Sequence, residues 1–205
     1  MTMRTIDRMM AGFRSFRAIY YEQRPERVAD LVETGQRPEV LLIACSDSRV
    51  DPAILMNAEP GEMFIVRNVA NLVPPYEPDD QYHGTSAAIE FAVRDLKVRD
   101  AVVLGHSSCG GISALVDSAE GGVVPDHDFI GPWMNIARCC LEHGPDIDKV
   151  SRHSVRNSLK NLLDFPFVRD AVDAGTLNVH GWWYGMKEGA LWRYRADEDK
   201  FYKDD

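Results

Sequence analysis

Three short aliphatic runs constrain this chain more than anything else in it: Val40-Leu41-Leu42-Ile43-Ala44, Met63-Phe64-Ile65-Val66 and Ala101-Val102-Val103-Leu104. A strand with one wet face alternates apolar and polar residues. An unbroken run marks a strand buried on both faces, as in a parallel sheet covered by helices. Between and after the runs the period changes to that of a helix. Ala88, Ile89, Ala92, Val93 and Leu96 recur at helical intervals over Thr85 to Leu96, and Gly110-Gly111 opens a second helix carrying Ile112, Leu115 and Val116. Further helices are expected from Pro25 to Gly35, around Trp133 to Leu141, from Asp148 to Leu163 and from Pro166 to Ala174. Strands are expected at Leu177 to Tyr184 and Ala190 to Arg195, and a loop from Asp117 to Asp128. Strands alternating with helices predict an α/β fold with a mainly parallel sheet flanked by helices.

The first 21 residues read as an amphipathic helix, with Ile6, Met9, Met10, Phe13, Phe16, Ile19 and Tyr20 three and four residues apart. Such an arm suits packing on a partner subunit. A length of 205 residues fits one domain, read here as a helical arm over 1–35 and a core over 36–195, with the acidic stretch Asp197 to Asp205 as a solvated end. The formal charge of −9 argues against binding nucleic-acid backbones. No apolar run approaches the roughly 20 residues needed to span a bilayer. Four unevenly spaced cysteines make no disulfide framework and point to a reducing compartment, the cytoplasm.

Two clusters at strand ends carry chemistry: Cys45-Ser46-Asp47-Ser48-Arg49 after the first run, and His106-Ser107-Ser108-Cys109-Gly110-Gly111 after the third. Open α/β sheets bind ligands outside the carboxyl ends of their strands. If these two strands are neighbours, Cys45, His106 and Cys109 can hold one ion per chain. Sulfur with imidazole suits zinc, and three protein ligands leave one tetrahedral corner for water, the arrangement of a catalytic site. Two thiolates neutralise the ion's charge, so its water should be a weaker acid than in an all-histidine site. Asp47 can then accept a hydrogen bond from that water while Arg49 keeps it ionised, or it can swing onto the metal as a fourth ligand. Gly110 and Gly111 allow close approach, and the helix they open offers N–H groups to an anion. Cys139-Cys140, the histidines at 83, 127, 143, 153 and 180, and Trp182-Trp183-Tyr184 are expected to serve packing or the surface.

With both clusters in place, the sequence resembles the plant-type β-class carbonic anhydrases, zinc enzymes that interconvert carbon dioxide and bicarbonate. Pro60 to Asn71, Gly84 to Glu90 and Ser158 to Leu162 extend the likeness, which runs from about Gln36 to Tyr194. The resemblance implies zinc on Cys45, His106 and Cys109, and Asp47 with Arg49 as a catalytic dyad. It further implies Gln36 as an amide on the substrate, and Phe64 and Val69 as walls of a carbon dioxide pocket completed across a dimer. Gly110 lies where backbone amides would hold the nascent bicarbonate. The product would arise by attack of zinc-bound hydroxide, in a homodimer or larger assembly. Leu42 stands where members with an inhibitory bicarbonate pocket carry tryptophan, and Phe91 and Asp95 stand where plant-type members usually have tyrosine and often histidine. Two rival readings use the same ligands: a carbonyl sulfide or carbon disulfide hydrolase, and a non-catalytic zinc or bicarbonate-sensing module. A thiol redox protein would need a CxxC pair, which is absent.

Overall fold

The computed structural model describes residues 4–121 and 127–204. The chain divides into two compact units, Met1–Arg37 and Pro38–Asp205. In the first, helix α1 (Thr5–Arg17) runs into π-type turns at Ala18–Gln23 and is followed by α2 (Pro25–Glu33). Asp7 in the first turn of α1, with Arg14 and Arg17 in its last, complements the helix dipole. Pro25 starts α2 at a position that needs no N–H donor. Neither helix buries a residue, and Ile6, Met9, Met10, Phe13 and Phe16 are all exposed.

The second unit is built on a six-stranded sheet of order β2-β1-β3-β4-β5-β6. The strands are β1 (Val40–Cys45), β2 (Met63–Asn68), β3 (Asp100–His106), β4 (Asn178–Gly185), β5 (Ala190–Arg195) and β6 (Lys200–Lys203). The first four in that order are parallel, and β5 and β6 are added antiparallel. Both central strands are sealed on two faces, as their unbroken runs require. Leu41, Ile43, Ala101 and Val103 pack with Ile89 of α4 (Gly84–Glu90), Val155 and Leu159 of α7 (Ile147–Asp164), and Val168 of α8 (Pro166–Asp173). Leu42, Ala44, Val102 and Leu104 form the opposite layer with Trp182, Tyr184 and Leu191. Each large aliphatic side chain so buried contributes about 1.5–3 kcal/mol.

Three expectations need correction. The run Met63 to Val66 reads as doubly buried, but β2 is the edge strand, and Ile65 is 37% exposed. Apolar character there reflects an open edge, which a local pattern cannot distinguish from a buried one. The acidic end is not simply a solvated tail, because Lys200–Lys203 pairs with β5 as the sheet's last strand. The supposed loop from Asp117 begins later, since α5 (Gly110–Ala119) continues through Asp117, and residues 122–126 lie outside the described ones.

Helix α7 lies close over β3 and β4 because two strand residues lack a side chain. A Cβ on Gly105 would stand 2.5 Å from Val155 Cγ2, and one on Gly181 would stand 2.6 Å from Leu159 Cδ1. Three buried polar residues of α7 satisfy nearby backbone. Ser158 Oγ accepts from Val73 N–H, Asn161 Nδ2 donates to Val73 C=O at 2.8 Å, and Ser151 Oγ donates to His106 C=O at 2.9 Å. Farther along, His153 stacks on His143 with ring centroids 3.3 Å apart. Burial first, then the neighbouring His143 and Arg156, pushes the His153 pKa down to about 4.

Two predictions follow from this packing. Gly181→Ala should destabilise the protein by about 1–3 kcal/mol through overpacking, read as a lower urea midpoint. A histidine held neutral in the fold contributes stability fully above its unfolded pKa near 6.5, and loses that contribution as pH falls toward about 4. His153→Gln should therefore flatten the decline in the urea midpoint between pH 7 and pH 4.5 relative to wild type.

Candidate active site

The chain leaves β1 to form β2 on one side, then returns to lay β3 on the other. The carboxyl ends of β1 and β3 thus flank a topological switch point, where open α/β sheets form their crevice. In the parallel register Ala44 sits opposite Leu104, which brings Cys45 and His106, the last residues of their strands, to one rim. Cys109 follows three residues beyond the end of β3, at the N-cap position of α5.

The three donors converge. Cys45 Sγ and Cys109 Sγ are 3.9 Å apart, and with a ring nitrogen of His106 they lie within 4.8 Å of one another, all on buried residues. His106 Nδ1 lies 2.9 Å from the Ser107 carbonyl, which fixes that nitrogen as the N–H donor, and buried Nε2 has no hydrogen-bond partner. A tetrahedral zinc ion with Zn–S near 2.3 Å would set its sulfurs just under about 4 Å apart, so this donor set fits zinc in both spacing and chemistry. The thiols respond to each other. The Cys109 hydrogen bond holds the Cys45 thiol well below its ordinary value despite burial, while Cys109 is pushed up by Cys45 and by burial. Two thiolates this close need a cation to be ionised together.

The surrounding backbone is fastened by residues outside the two ligand clusters. Arg67 of β2 donates from Nε to Cys45 C=O at 3.0 Å, from Nη2 to Asp47 C=O at 2.8 Å and from Nη1 to Asp51 at 2.7 Å. Asp51 in turn accepts from Ala53 and Ile54 N–H at the start of α3 (Pro52–Leu55). The Asn68 side chain closes the next loop by bonding both N–H and C=O of Leu72 at 2.8 Å. Inside that loop, Ala70 and Asn71 have left-handed φ of 65° and 49°. The Ala70 N–H points at Cys45 Sγ, 3.4 Å away, as does that of Asp47.

Asp47 and Arg49 form the pair their spacing suggests. Arg49 donates from Nε and its own backbone N–H to Asp47 Oδ1, at 3.0 and 2.9 Å, and from Nη2 to Oδ2 at 2.7 Å. This bidentate contact keeps the Asp47 carboxyl well below the usual carboxylate range. Asp47 is therefore held by arginine, and the converging donor group comprises Cys45, His106 and Cys109 without it.

Among the other expected site residues, Val69 is at the rim, 37% exposed, with its carbonyl accepting from Trp133 Nε1 at 2.8 Å. Gly110 opens α5 with free space where a Cβ would stand, so the steric need belongs to Gly111 instead. A Cβ there would lie 2.7 Å from Val69 Cγ1 and 3.2 Å from Ala70 Cβ. Phe64 is not at this rim: it sits opposite Leu41, four residues before Asn68 on β2, or about 13 Å along the strand. It packs on Phe91 with ring centroids 5.9 Å apart. Gln36 is exposed and belongs to the first unit. Cys139 and Cys140 form no disulfide, one being exposed and one buried. Arg67, Asp51, Asn68, Trp133 and Asp148, which bonds Ser108 N–H at 2.8 Å, escaped sequence reasoning. Only Arg67 and Asn68 stood inside a quoted motif.

Comparison with known proteins agrees with this geometry. Residues 40–191 match the family model described as carbonic anhydrase. A carbonic anhydrase of Pseudomonas aeruginosa is 39% identical over 189 residues, 88% of this chain and 83% of that protein. Among solved structures, the β-carbonic anhydrase CcaA superposes with a TM-score of 0.86 at 30% identity, covering 98% of this chain and all of that one. A tetrameric β-carbonic anhydrase of the fungus Sordaria macrospora gives 0.80 at 26% identity, covering 92% and 96%. With a Cys-His-Cys donor set at the switch point of a mainly parallel sheet, the chain belongs to the β-carbonic anhydrase family and catalyses the hydration of carbon dioxide.

Proposed function

We propose that this anhydrase works as a zinc enzyme in the cytoplasm, with its substrate pocket completed by a second copy of the chain. The observation that carries the zinc reading is His106 Nε2, buried and unpartnered beside two thiols 3.9 Å apart. Zinc on Cys45, His106 and Cys109 would supply a Lewis acid that makes water a nucleophile near neutral pH.

The protein's own groups do the rest. Asp47, kept ionised by Arg49, accepts the hydrogen bond of the attacking water and so aims its lone pair at carbon. Val69 offers an apolar wall to a substrate without charge or dipole. Backbone amides near Gly110, at the amino end of α5, hold the developing bicarbonate oxygens. Phe64 lies too far along β2 to reach the metal ligands of its own chain, so it would serve the site of a neighbour. Two exposed apolar surfaces support such an assembly. One is the edge of β2 with Ile65 and Phe91, 37% and 44% exposed; the other comprises Ile6, Met9, Met10 and Phe13 of α1. Packing of that arm on a second copy would give a dimer or a larger assembly. No described helix is long and apolar enough to cross a membrane.

Cys45→Ala and Cys109→Ala should each bring the zinc content far below one per chain by elemental analysis. Asp47→Ala should keep most of the metal and lose about 100-fold or more in stopped-flow hydration rate, within the range for a positioned proton acceptor. Wild-type activity in Asp47→Ala would refute its assigned role. Ile65→Arg should lower the molar mass in analytical ultracentrifugation and lower activity with it.

A further inference from the structure

We infer that Asp148 is a positioning residue of the anhydrase site, acting through the peptide groups of Ser108 on Arg49. Ser108 lies between the ligands His106 and Cys109 and adopts a left-handed φ of 53°, a conformation that costs energy for any residue with a side chain. Something must hold it there. Both of its backbone polar groups are held, from opposite sides. Its N–H donates to Asp148 Oδ1 at 2.8 Å, and its C=O accepts from Arg49 Nη2 at 3.0 Å. That same Nη2 donates to Asp47 Oδ2 at 2.7 Å. A chain of hydrogen bonds thus runs from Asp148 through Ser108 and Arg49 to Asp47.

An acid in the first turn of a helix has an ordinary explanation, since it favours the positive end of the dipole. That does not account for Asp148. The capping of α7 is already performed by Asp146, whose side chain accepts from Lys149 N–H. Asp148 is half-buried, and among the described residues no basic side chain forms a salt bridge with it. Its carboxylate is directed across to the ligand loop, 40 residues away in sequence. A charge-assisted bond to a peptide N–H is stronger than a neutral one, which suits it to pinning a strained residue. With Ser108 released, its carbonyl would turn away, and Arg49 would lose the acceptor that fixes its guanidinium relative to Asp47. The loop would still deliver His106 and Cys109, each secured independently by β3 and α5. The effect should therefore fall on turnover rather than on metal uptake.

The test uses zinc-replete and cobalt-substituted protein. Asp148→Ala should retain about one metal per chain yet lower kcat by roughly tenfold, with KM for carbon dioxide within twofold of wild type. The visible bands of its cobalt form should shift as the ligand loop relaxes. Asp148→Asn, whose amide oxygen can still accept the bond, should recover most of kcat. Ser108→Gly in the Asp148→Ala background should recover part of it, because glycine occupies the left-handed region without penalty. Unchanged kcat and cobalt bands in Asp148→Ala would overturn the inference, as would a loss that Asn does not restore. If Asp148→Ala fails to fold or to take metal, Asp148→Asn decides: near-wild-type kcat supports the role, and a tenfold loss removes it. The inference rests on the dyad role of Asp47 and Arg49. An inactive Asp47→Ala beside an unaffected Asp148→Ala would sink this step alone, whereas a fully active Asp47→Ala would sink the dyad itself.

Discussion

The side-by-side parallel pairing of β1 and β3 is the constraint on which the rest depends. Because Ala44 lies opposite Leu104, the two strands end within one residue of each other and deliver Cys45 and His106 to one rim. A slip of one residue in either strand would turn that strand's ligand to the other face of the sheet. The pairing is secured by burial rather than by any feature of the site. Leu41, Leu42, Ile43, Val102 and Val103 are almost wholly excluded from water on both faces. Glycines at 105 and 181 let α7 close down on one of those faces. The chemistry sits just beyond the most rigid part of the sheet, and rigidity there keeps three donors within one coordination sphere.

What lies above the rim is irregular backbone, and irregular backbone must find partners for its N–H and C=O groups. Arg67 supplies three of the bonds around the Cys45 to Asp51 turn, Asn68 closes the loop containing Ala70, and Ser158 with Asn161 satisfies Val73. Left-handed residues at 70, 71 and 108 show that these segments are held in shape by their neighbours. Cys45 Sγ is held by N–H groups from two of these loops, so ligand placement and loop conformation form one problem with one solution. The Cys109 hydrogen bond, joined by these two backbone N–H groups, biases the Cys45 thiol toward its charged form.

Much of this was legible in the chain. The aliphatic runs of 40–44 and 101–104 became the two central strands, and the helix after Gly110-Gly111 starts where its glycines stand. The ligand set was readable because Cys45 and the His106 to Cys109 pair adjoin those runs directly. The reading failed where the cause was nonlocal. Met63 to Val66 has the composition of an interior strand and occupies an edge, because neighbours in space are not encoded in a strand's own pattern. Lys200 to Lys203 looked like charged tail, and pairing with β5 made it a strand. Trp133 and Asp148 are single residues whose function consists entirely of what lies across from them, and nothing in their spacing marks them.

The sequence by itself determined the class of fold and the donors, since hydrophobic period and residue chemistry are local properties that survive in one dimension. Only the tertiary structure decided that β1 and β3 are neighbours, that Arg49 also reaches the Ser108 carbonyl, and that Phe64 lies too far along β2 to serve the ligands of its own chain. Those outcomes depend on register and on distances of a few ångströms between segments remote in the chain, and they become fixed only when the shared core excludes water.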